Sequence, residues 1–429
     1  MRKLFSLSLL TLATASMFAG GYRVSIQGQK QLAMGHTGVA VVNSAEVAFF
    51  NPAGMSFLDK KFNLSVGGNA LLAKTRFQSS QFNQTAATDN LGTPFSLYAT
   101  YKINDWVSAG LAVYTPYGSS VAWDQDWVGA HLVNNIDLAA IFIQPTISFR
   151  VGDIFSIGGG PIFVQGSVKF NRNLSPNPAF ANTNVTLDAT GISATGYNVG
   201  MMFKLSKKVT LGMDYRSEII MEARGGSATY DRKGIASISP SISPSTLAFT
   251  DGTFDADLPL PAEFTTGISY KASDKWLFAF DYNYTKWSVY KSLDIKIYNQ
   301  NPTIVESKNL RNYKDVSAYR FGAQYKATDK ITVRGGYYID ESPVQQGYFA
   351  PETPRNDSVG YTGGFTYQVN SKLGIDMSFL YLHFDEVNNS YDYFDDPLTG
   401  PSNSPQYSSF GGTYKSSVFS PGIGITYGF

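Results

Sequence analysis

Alternation with a period of two sets the terms on which this chain can fold. In Trp276 to Thr285 one face carries Trp276, Phe278, Phe280, Tyr282 and Tyr284, while the other ends in Asp281, Asn283 and Thr285. That is a two-faced β-strand. Leu373, Ile375, Met377, Phe379 and Tyr381 alternate with Gly374, Asp376 and Ser378, and Ile423, Ile425, Tyr427 and Phe429 alternate with Gly424, Thr426 and Gly428. Aromatic residues gather near one end of each run, as they do at the interfaces of a membrane barrel.

Connections between such runs sort by length. Short ones recur at Ile103-Asn104-Asp105, Val151-Gly152-Asp153, Ser206-Lys207-Lys208, Ala272-Ser273-Asp274, Ala327-Thr328-Asp329 and Asn370-Ser371-Lys372. They alternate with long polar stretches near 76–92, 119–136, 173–190, 225–253, 293–308, 342–355 and 386–410. Six short turns and seven long loops separate fourteen strands. We place these near 62–75, 93–103, 105–118, 137–151, 153–172, 191–206, 209–224, 258–272, 274–292, 309–327, 330–341, 357–370, 372–386 and 412–429. An even strand count with short turns at one end and long loops at the other is the layout of a bacterial outer-membrane barrel. A secreted β-sandwich also alternates but does not sort its loops so regularly. The expected fold is all-β, a transmembrane antiparallel β-barrel of about fourteen strands formed by residues 61–429.

The N-terminus and the composition point to the same compartment. MRKLFSLSLLTLATASMFAG opens with Arg2 and Lys3, continues apolar and ends among small residues, the layout of a secretory signal peptide. We assign it to residues 1–19, with cleavage after Ala15 or nearer Ala19 both open. Its apolar run is shorter than the ~20 residues that span a bilayer, and no later stretch is long and apolar enough, so strands must do any crossing. Charged residues make up 16 %, below the ~25 % of soluble domains. The 27 Tyr and 30 Phe suit a chain lying between apolar and wet phases.

The same composition excludes several functions. Without cysteine there is neither a disulfide framework nor a thiolate site, and a net charge of +1 gives no reason to expect a nucleic-acid partner. The only histidines are His36, His131 and His383, and none has a serine in a motif context to pair with. We expect no enzyme and no cofactor. Asp385, Glu386, Asp392, Asp395 and Asp396 lack the ligand spacing of a calcium loop, so no metal is expected either.

Residues 20–60 precede the first strand. They are punctuated by Gly28, Gly35, Gly38 and Gly54, rich in Ala and Val, and poor in charge. Exposed in the periplasm they would present apolar surface; inside the barrel lumen they form an N-terminal plug whose small residues let its backbone approach the wall. Within them VAFFNPAGMSFL sets Asn51-Pro52-Ala53-Gly54 between apolar blocks. Asn51 can close an Asx-type turn and Pro52 fixes φ, which makes a polar elbow against the wall. The same tetrapeptide could also be a simple connector into the first strand.

Gly20-Gly21-Tyr22, Gly35 to Gly38 and Asn51-Pro52-Ala53 are followed by Tyr215-Arg216-Ser217-Glu218 and by Leu258-Pro259-Leu260-Pro261 leading to Phe264. Tyr284-Thr285-Lys286-Trp287 and Tyr319-Arg320 before Asp340-Glu341-Ser342-Pro343-Val344 complete the set. In this order, across nearly the whole mature chain, it resembles the FadL family of outer-membrane transporters of long-chain fatty acids and other hydrophobic compounds. The resemblance implies a hatch at 20–60 that carries Asn51, Pro52 and Ala53. It also implies capture of substrate on the extracellular loops, an inner pocket with Tyr22 beside it, and passive exit through a gap in the wall at a kinked third strand. His36 stands where some relatives carry arginine, so a charge role does not carry over to it.

The residues offer their own candidate for that gap. Pro116 has no donor and Gly118 no side chain, with Tyr117 between them, and Pro145 removes another donor in the next strand. In lipid such carbonyls stay unpaired unless they face a lumen or a gap. Pro116, Tyr117, Gly118 and Pro145 are therefore the candidate lateral gate, unless Pro116 only marks the end of its strand.

For binding, a fatty acid needs a long apolar trough and one cation or donor. Arg216, Arg320 and Arg334 are costly on a lipid face and should point inward, either to meet a carboxylate or to pair with acids such as Asp214, Glu218 or Glu46. Trp123, Trp127, Val128 and Leu132, in an outward loop with Val121, either capture substrate or pack as a loop core. The expected partners are a hydrophobic small molecule (a long-chain fatty acid, or a toluene-like aromatic hydrocarbon) and outer-membrane lipid. Terminal Phe429, preceded by Tyr427, Ile425 and Ile423, adds the barrel-assembly machinery, since it resembles the terminal aromatic signal of such barrels. A general porin would carry more strand charges, and a surface adhesin would not need a plug.

Overall fold

The computed structural model describes residues 21–174, 183–231, 250–299, 304–395 and 407–429. The expected signal peptide at 1–19, Asp396, and parts of four expected loops lie outside them.

Each alternating run forms a strand hydrogen-bonded to the next in sequence. The first seven are β1 (Phe62–Asn69 and Leu71–Ser79), β2 (Thr85–Gly92 and Phe95–Lys102), β3 (Val107–Ala122), β4 (Asn135–Val151), β5 (Phe155–Asn173), β6 (Asn184–Lys204) and β7 (Val209–Arg216 and Ile219–Asp231). The remainder are β8 (Gly252–Leu260 and Glu263–Lys271), β9 (Trp276–Thr285 and Ser292–Asn299), β10 (Ile304–Leu310 and Val316–Lys326), β11 (Ile331–Asp340), β12 (Ser358–Gln368), β13 (Leu373–Phe384 and Val387–Asp395) and β14 (Tyr407–Gly428). Antiparallel pairing of β1 with β14, from Asn63↔Gly428 to Asn69↔Gly422, closes the ring. The fourteen-strand barrel read from the sequence is thus the fold observed.

The two faces divide as the alternation requires. Phe278, Phe379, Phe419 and Ile423 are exposed toward lipid, whereas Asp281, Asn283, Asp376 and Ser378 are buried toward the lumen. Trp106, Tyr270, Trp276 and Tyr427 are exposed near the short-turn end, where an aromatic girdle belongs.

Several stretches expected to be loops are strand instead. Leu71–Ser79 runs on from the expected strand into the expected loop 76–92 and pairs with Thr85–Gly92, and Ser292–Asn299 pairs with Ile304–Leu310 across the expected loop 293–308, so the wall continues well past the membrane. Their outer faces carry ion pairs such as Arg76 with Asp89 (3.0 Å), Lys296 with Glu306 (2.9 Å) and Arg224 with Asp257 (2.5 Å). Charges of that kind are costly against hydrocarbon, so this part of the wall stands in water. The sequence pattern concealed it because its outside is polar and its inside apolar, the reverse of a lipid-embedded strand.

Residues 22–58 run inside the barrel, tethered to strand after strand. Gln29 donates to Asn69 of β1 (2.7 Å) and accepts from Ser378 of β13 (2.5 Å). The Gly35 amide donates to Thr362 of β12 (2.7 Å), and the Gly38 and Val39 amides donate to Asp281 of β9 (2.7 and 3.0 Å). Ser148 of β4 and Ser156 of β5 both donate to the Ala53 carbonyl (3.0 and 2.8 Å). The segment therefore makes a circuit of the inner wall.

Glycines of the wall let this backbone come so close. A Cβ at Gly322 would collide with the Met34 carbonyl, and one at Gly212 with that of Val39. Small residues expected in the plug are matched by these glycines of the wall. Glu46 ties the segment to itself, since its buried carboxylate accepts from the Lys30 and Gln31 amides (3.3 Å each). Burial pushes the carboxyl up to about 7, with Asp376 adding to the rise.

Two outcomes follow. Gly212→Val and Gly322→Val should free the inner segment to proteolysis while the barrel keeps its heat-modifiable gel mobility; full protection in both would refute the docking. A raised carboxyl pKa means that the docked segment holds a proton the free chain gives up. Its protection should then fall as pH rises from the usual carboxylate range through about 7, and Glu46→Gln should flatten that dependence.

Candidate functional site: a broken seam beside an apolar cavity

Strands β2 and β3 part company halfway along. Their ladder runs from Lys102↔Ser108 to Ser96↔Tyr114 and stops there. On the β4 side the register slips between Tyr114 and Tyr117, where Pro116 cannot donate. Beyond the slip β3 bonds to the inner segment instead. The Val24 amide donates to the Pro116 carbonyl (2.8 Å) and the Gly118 amide to the Tyr22 carbonyl (3.0 Å). Higher up, the Ala122 amide reaches Thr88 Oγ1 of β2 (3.3 Å). Between these points the seam lacks ladder pairs.

The strap that fills this role, residues 22–26, is clamped by Arg23. One guanidinium nitrogen donates to Asn283 and Thr285 (2.7 Å each) and lies 3.3 Å from Glu263; the other donates to Asp340 (2.7 Å). The side chain is 6 % exposed. Two acids and two neutral acceptors compensate the desolvation of this charge, the condition under which a buried ion pair is tolerated. Tyr117 completes the cluster by donating to Glu263 (2.8 Å).

Against the strap lies an apolar cavity of about 90 Å³, walled mostly by apolar side chains as small-molecule clefts are. Leu138, Leu187, Ile192, Met221, Phe254 and Ile295 from successive strands line it, with Tyr22 at one end. Tyr22 is fixed by donation to the Pro259 carbonyl and by an edge contact with Trp287 (centroids 4.9 Å apart). The one charged couple on the lining is Arg311 with Glu352, and Arg311 also donates to Tyr391.

The site residues read from sequence separate into groups. Tyr22, Pro116, Tyr117 and Gly118 come together at the strap. Pro145 lies on another seam, facing outward on β4, where the register on either side sets it opposite Pro161 of β5. Asn51, fully buried, accepts from the Ala53 amide (3.2 Å) and donates to the Val39 and Met201 carbonyls (2.8 and 2.9 Å). Pro52 begins a 3-10 helix, Pro52–Phe57, so the tetrapeptide makes its elbow against β6.

Arg216 donates to the Phe49 carbonyl (3.1 Å) and, with Arg320, Glu263 and Asp281, lines a polar space beneath the strap. Arg334 donates to Gln324 and Thr366 (2.9 and 2.6 Å). None of the three lines the apolar cavity. Trp123 and Trp127 stack (4.5 Å) in a separate apolar cluster with Leu132, Phe77 and Phe410, against which Val128 packs. His131, beside it, is held down at about 4 by burial and by Arg172.

Sequence reading missed Arg23, Arg311, Glu352 and Trp287. A signal existed in Asp294-Ile295-Lys296-Ile297, whose charge alternation marks a wall apolar inside and wet outside. Nothing local marked the arginines.

A closed antiparallel barrel with a lipid-facing belt, an occupied lumen and an apolar cavity at its loop end defines an outer-membrane transport barrel. The model of the outer membrane protein transport family (OMPP1/FadL/TodX) matches residues 10–429, and the chain belongs to that family. It is an outer-membrane β-barrel of the FadL type, in a family of transporters for hydrophobic compounds. The 47 kDa outer membrane protein of Pasteurella multocida is 26 % identical over 87 % of this chain and 90 % of its own. The long-chain fatty acid transport protein of Salmonella typhi is 22 % identical over 90 % and 93 %. Among solved structures, a Pseudomonas aeruginosa FadL homologue superposes with a TM-score of 0.81 at 21 % identity, covering 96 % of this chain and all of that one. The P. putida toluene transporter TodX gives 0.70 at 17 %, covering 96 % and 99 %.

Arg23→Met would leave Glu263 and Asp340 buried without their cation. The expected cost is ~3–5 kcal/mol, enough to detach the strap. Protease sensitivity near residue 23 should rise while heat-modifiable mobility persists; an unchanged digestion pattern would show that the clamp is dispensable.

Proposed function

We propose that the protein carries long-chain fatty acids passively across the outer membrane. The acid is captured at the loop end, enters the cavity beside Tyr22 and leaves sideways through the seam between β2 and β3. The supporting observation is the shared strap: residues 22–24 complete the backbone pairing of β3, and Tyr22 closes the cavity. A shift of one short segment would open both. Residues 1–19 serve as the export signal, and residues 20–60 as the hatch. Asn51-Pro52-Ala53 anchors that hatch to the wall, and Trp123, Trp127, Val128 and Leu132 form the capture surface at the mouth.

Aromatic hydrocarbon uptake is the second reading, and one feature favours it. Arg311 is already paired with Glu352, so the cavity offers a ligand apolar surface more readily than an unoccupied cation.

Oleate uptake and toluene permeation, measured side by side in cells that lack their own hydrophobic-compound transporter, decide between these. Oleate entry above the empty-vector rate supports the fatty-acid path. Faster toluene entry alone changes the substrate class, and neither, with correct insertion, removes transport. Asn51→Ala and Gly118→Trp should slow entry several-fold without blocking insertion. A Cβ at Gly118 already lies 3.0 Å from the Leu138 carbonyl. Wild-type uptake in both variants would eliminate the gate.

A further inference from the structure

A second lumenal pocket lies across the strap from the first. It is a cavity of about 50 Å³ between strap residues Val24 and Ile26 and the side chains of Leu71, Leu380, Phe384 and Val418. One buried and one half-buried polar group on its lining are short of partners. Ser358, 1 % exposed, has a hydroxyl with no hydrogen bond. Arg355 reaches only the Arg23 carbonyl with its guanidinium (3.4 Å), and among the described residues it has no carboxylate in ion-pair range. Burial is the largest influence on Arg355 and pushes its pKa down, opposed only by Tyr313. That is the sign for a cation without an anion.

The neighbouring charges do not answer this need. Arg23 and Asp340 also face the pocket but neutralise each other at 2.7 Å. An apolar trough ending in one unmatched guanidinium and one unmatched hydroxyl is the chemical complement of an acyl chain with a carboxylate head. The contrast with the first cavity is direct, since its arginine is already paired with Glu352.

We propose that this pocket is a second ligand site, in which Arg355 and Ser358 bind the carboxylate of a long-chain acid whose tail lies on Leu71, Leu380 and Phe384. The proposal rests on the fatty-acid reading above and adds a station beyond the first cavity. Tyr22 bounds one site and Val24 the other, and Val24 is also the residue that pairs with Pro116 at the seam. An acid passing the strap would reach this pocket with its head group already matched.

Titration of the purified full-length protein in detergent with oleate, and separately with oleyl alcohol, tests this. Wild type should bind two oleates but one alcohol. Arg355→Leu should lose one oleate and Arg355→Lys should retain both. Leu187→Trp, which fills the first cavity, should leave one oleate that Arg355→Leu then removes. Equal oleate binding by wild type and Arg355→Leu, or as many alcohols as oleates on wild type, would overturn the site; the alcohol comparison holds even if a variant folds poorly. Failure of oleate uptake in cells, with both sites titrating as described, would overturn the transport reading and leave this one standing.

Discussion

A strand wall in lipid has no water to complete its hydrogen bonds, and the rest of this structure is arranged around that constraint. Along most of its wall the barrel meets it by closure. At the upper half of β3 it does not, because Pro116 withholds a donor and the register slips. The missing partners come from the chain's own N-terminal strap, through Val24 and Tyr22. The wall is thus continuous only while the strap is docked, and the docking is held by one guanidinium among two acids.

The plug is accordingly more than packing material. Its circuit of the wall depends on close backbone contacts at glycines such as Gly212 and Gly322, and on polar tethers from β1 to β13. Such contacts are specific in register yet individually modest, about 1 kcal/mol for an ordinary hydrogen bond. A segment held this way can be displaced locally without melting the barrel, whose strands are stabilised by their own ladders. Asn51 illustrates the division, since it bonds both to the plug at Val39 and to the wall at Met201.

Much of this architecture was legible in the sequence because lipid enforces a simple rule on outward positions. Trp276, Phe278 and Phe280 announce a strand whatever lies around them, and the short turns set the count. The upper wall was hidden for the converse reason: in water its outer face tolerates charge, so Lys296 and Asp294 read as loop. At the site, Pro116 and Gly118 were legible because they break a ladder, a local property of the backbone. Arg23 was not, since its role is set by acids hundreds of residues away, Glu263 and Asp340, and Arg311 and Arg355 were not because nothing in their local pattern shows what they face. Arg216, by contrast, was recognisable as inward-facing, but its neighbours, not its strand, determine what it touches.

The placement of charge also bears on direction. Beneath the strap Arg216, Arg320, Glu263 and Asp281 line a polar space with His36, and an alkyl chain entering it would have to strip these groups of partners without replacing them. Toward the seam the obstacles differ in kind: a few backbone hydrogen bonds from residues 22–24, then hydrocarbon. An apolar ligand loses nothing on entering lipid, and the strand edges it passes can re-pair behind it. The straight path through the lumen is therefore the costlier one for such a ligand, although it is the shorter route to the periplasm. On the proposed fatty-acid path, that asymmetry favours sideways release without any coupled source of energy, with the polar layer closing the axial route to the ligand.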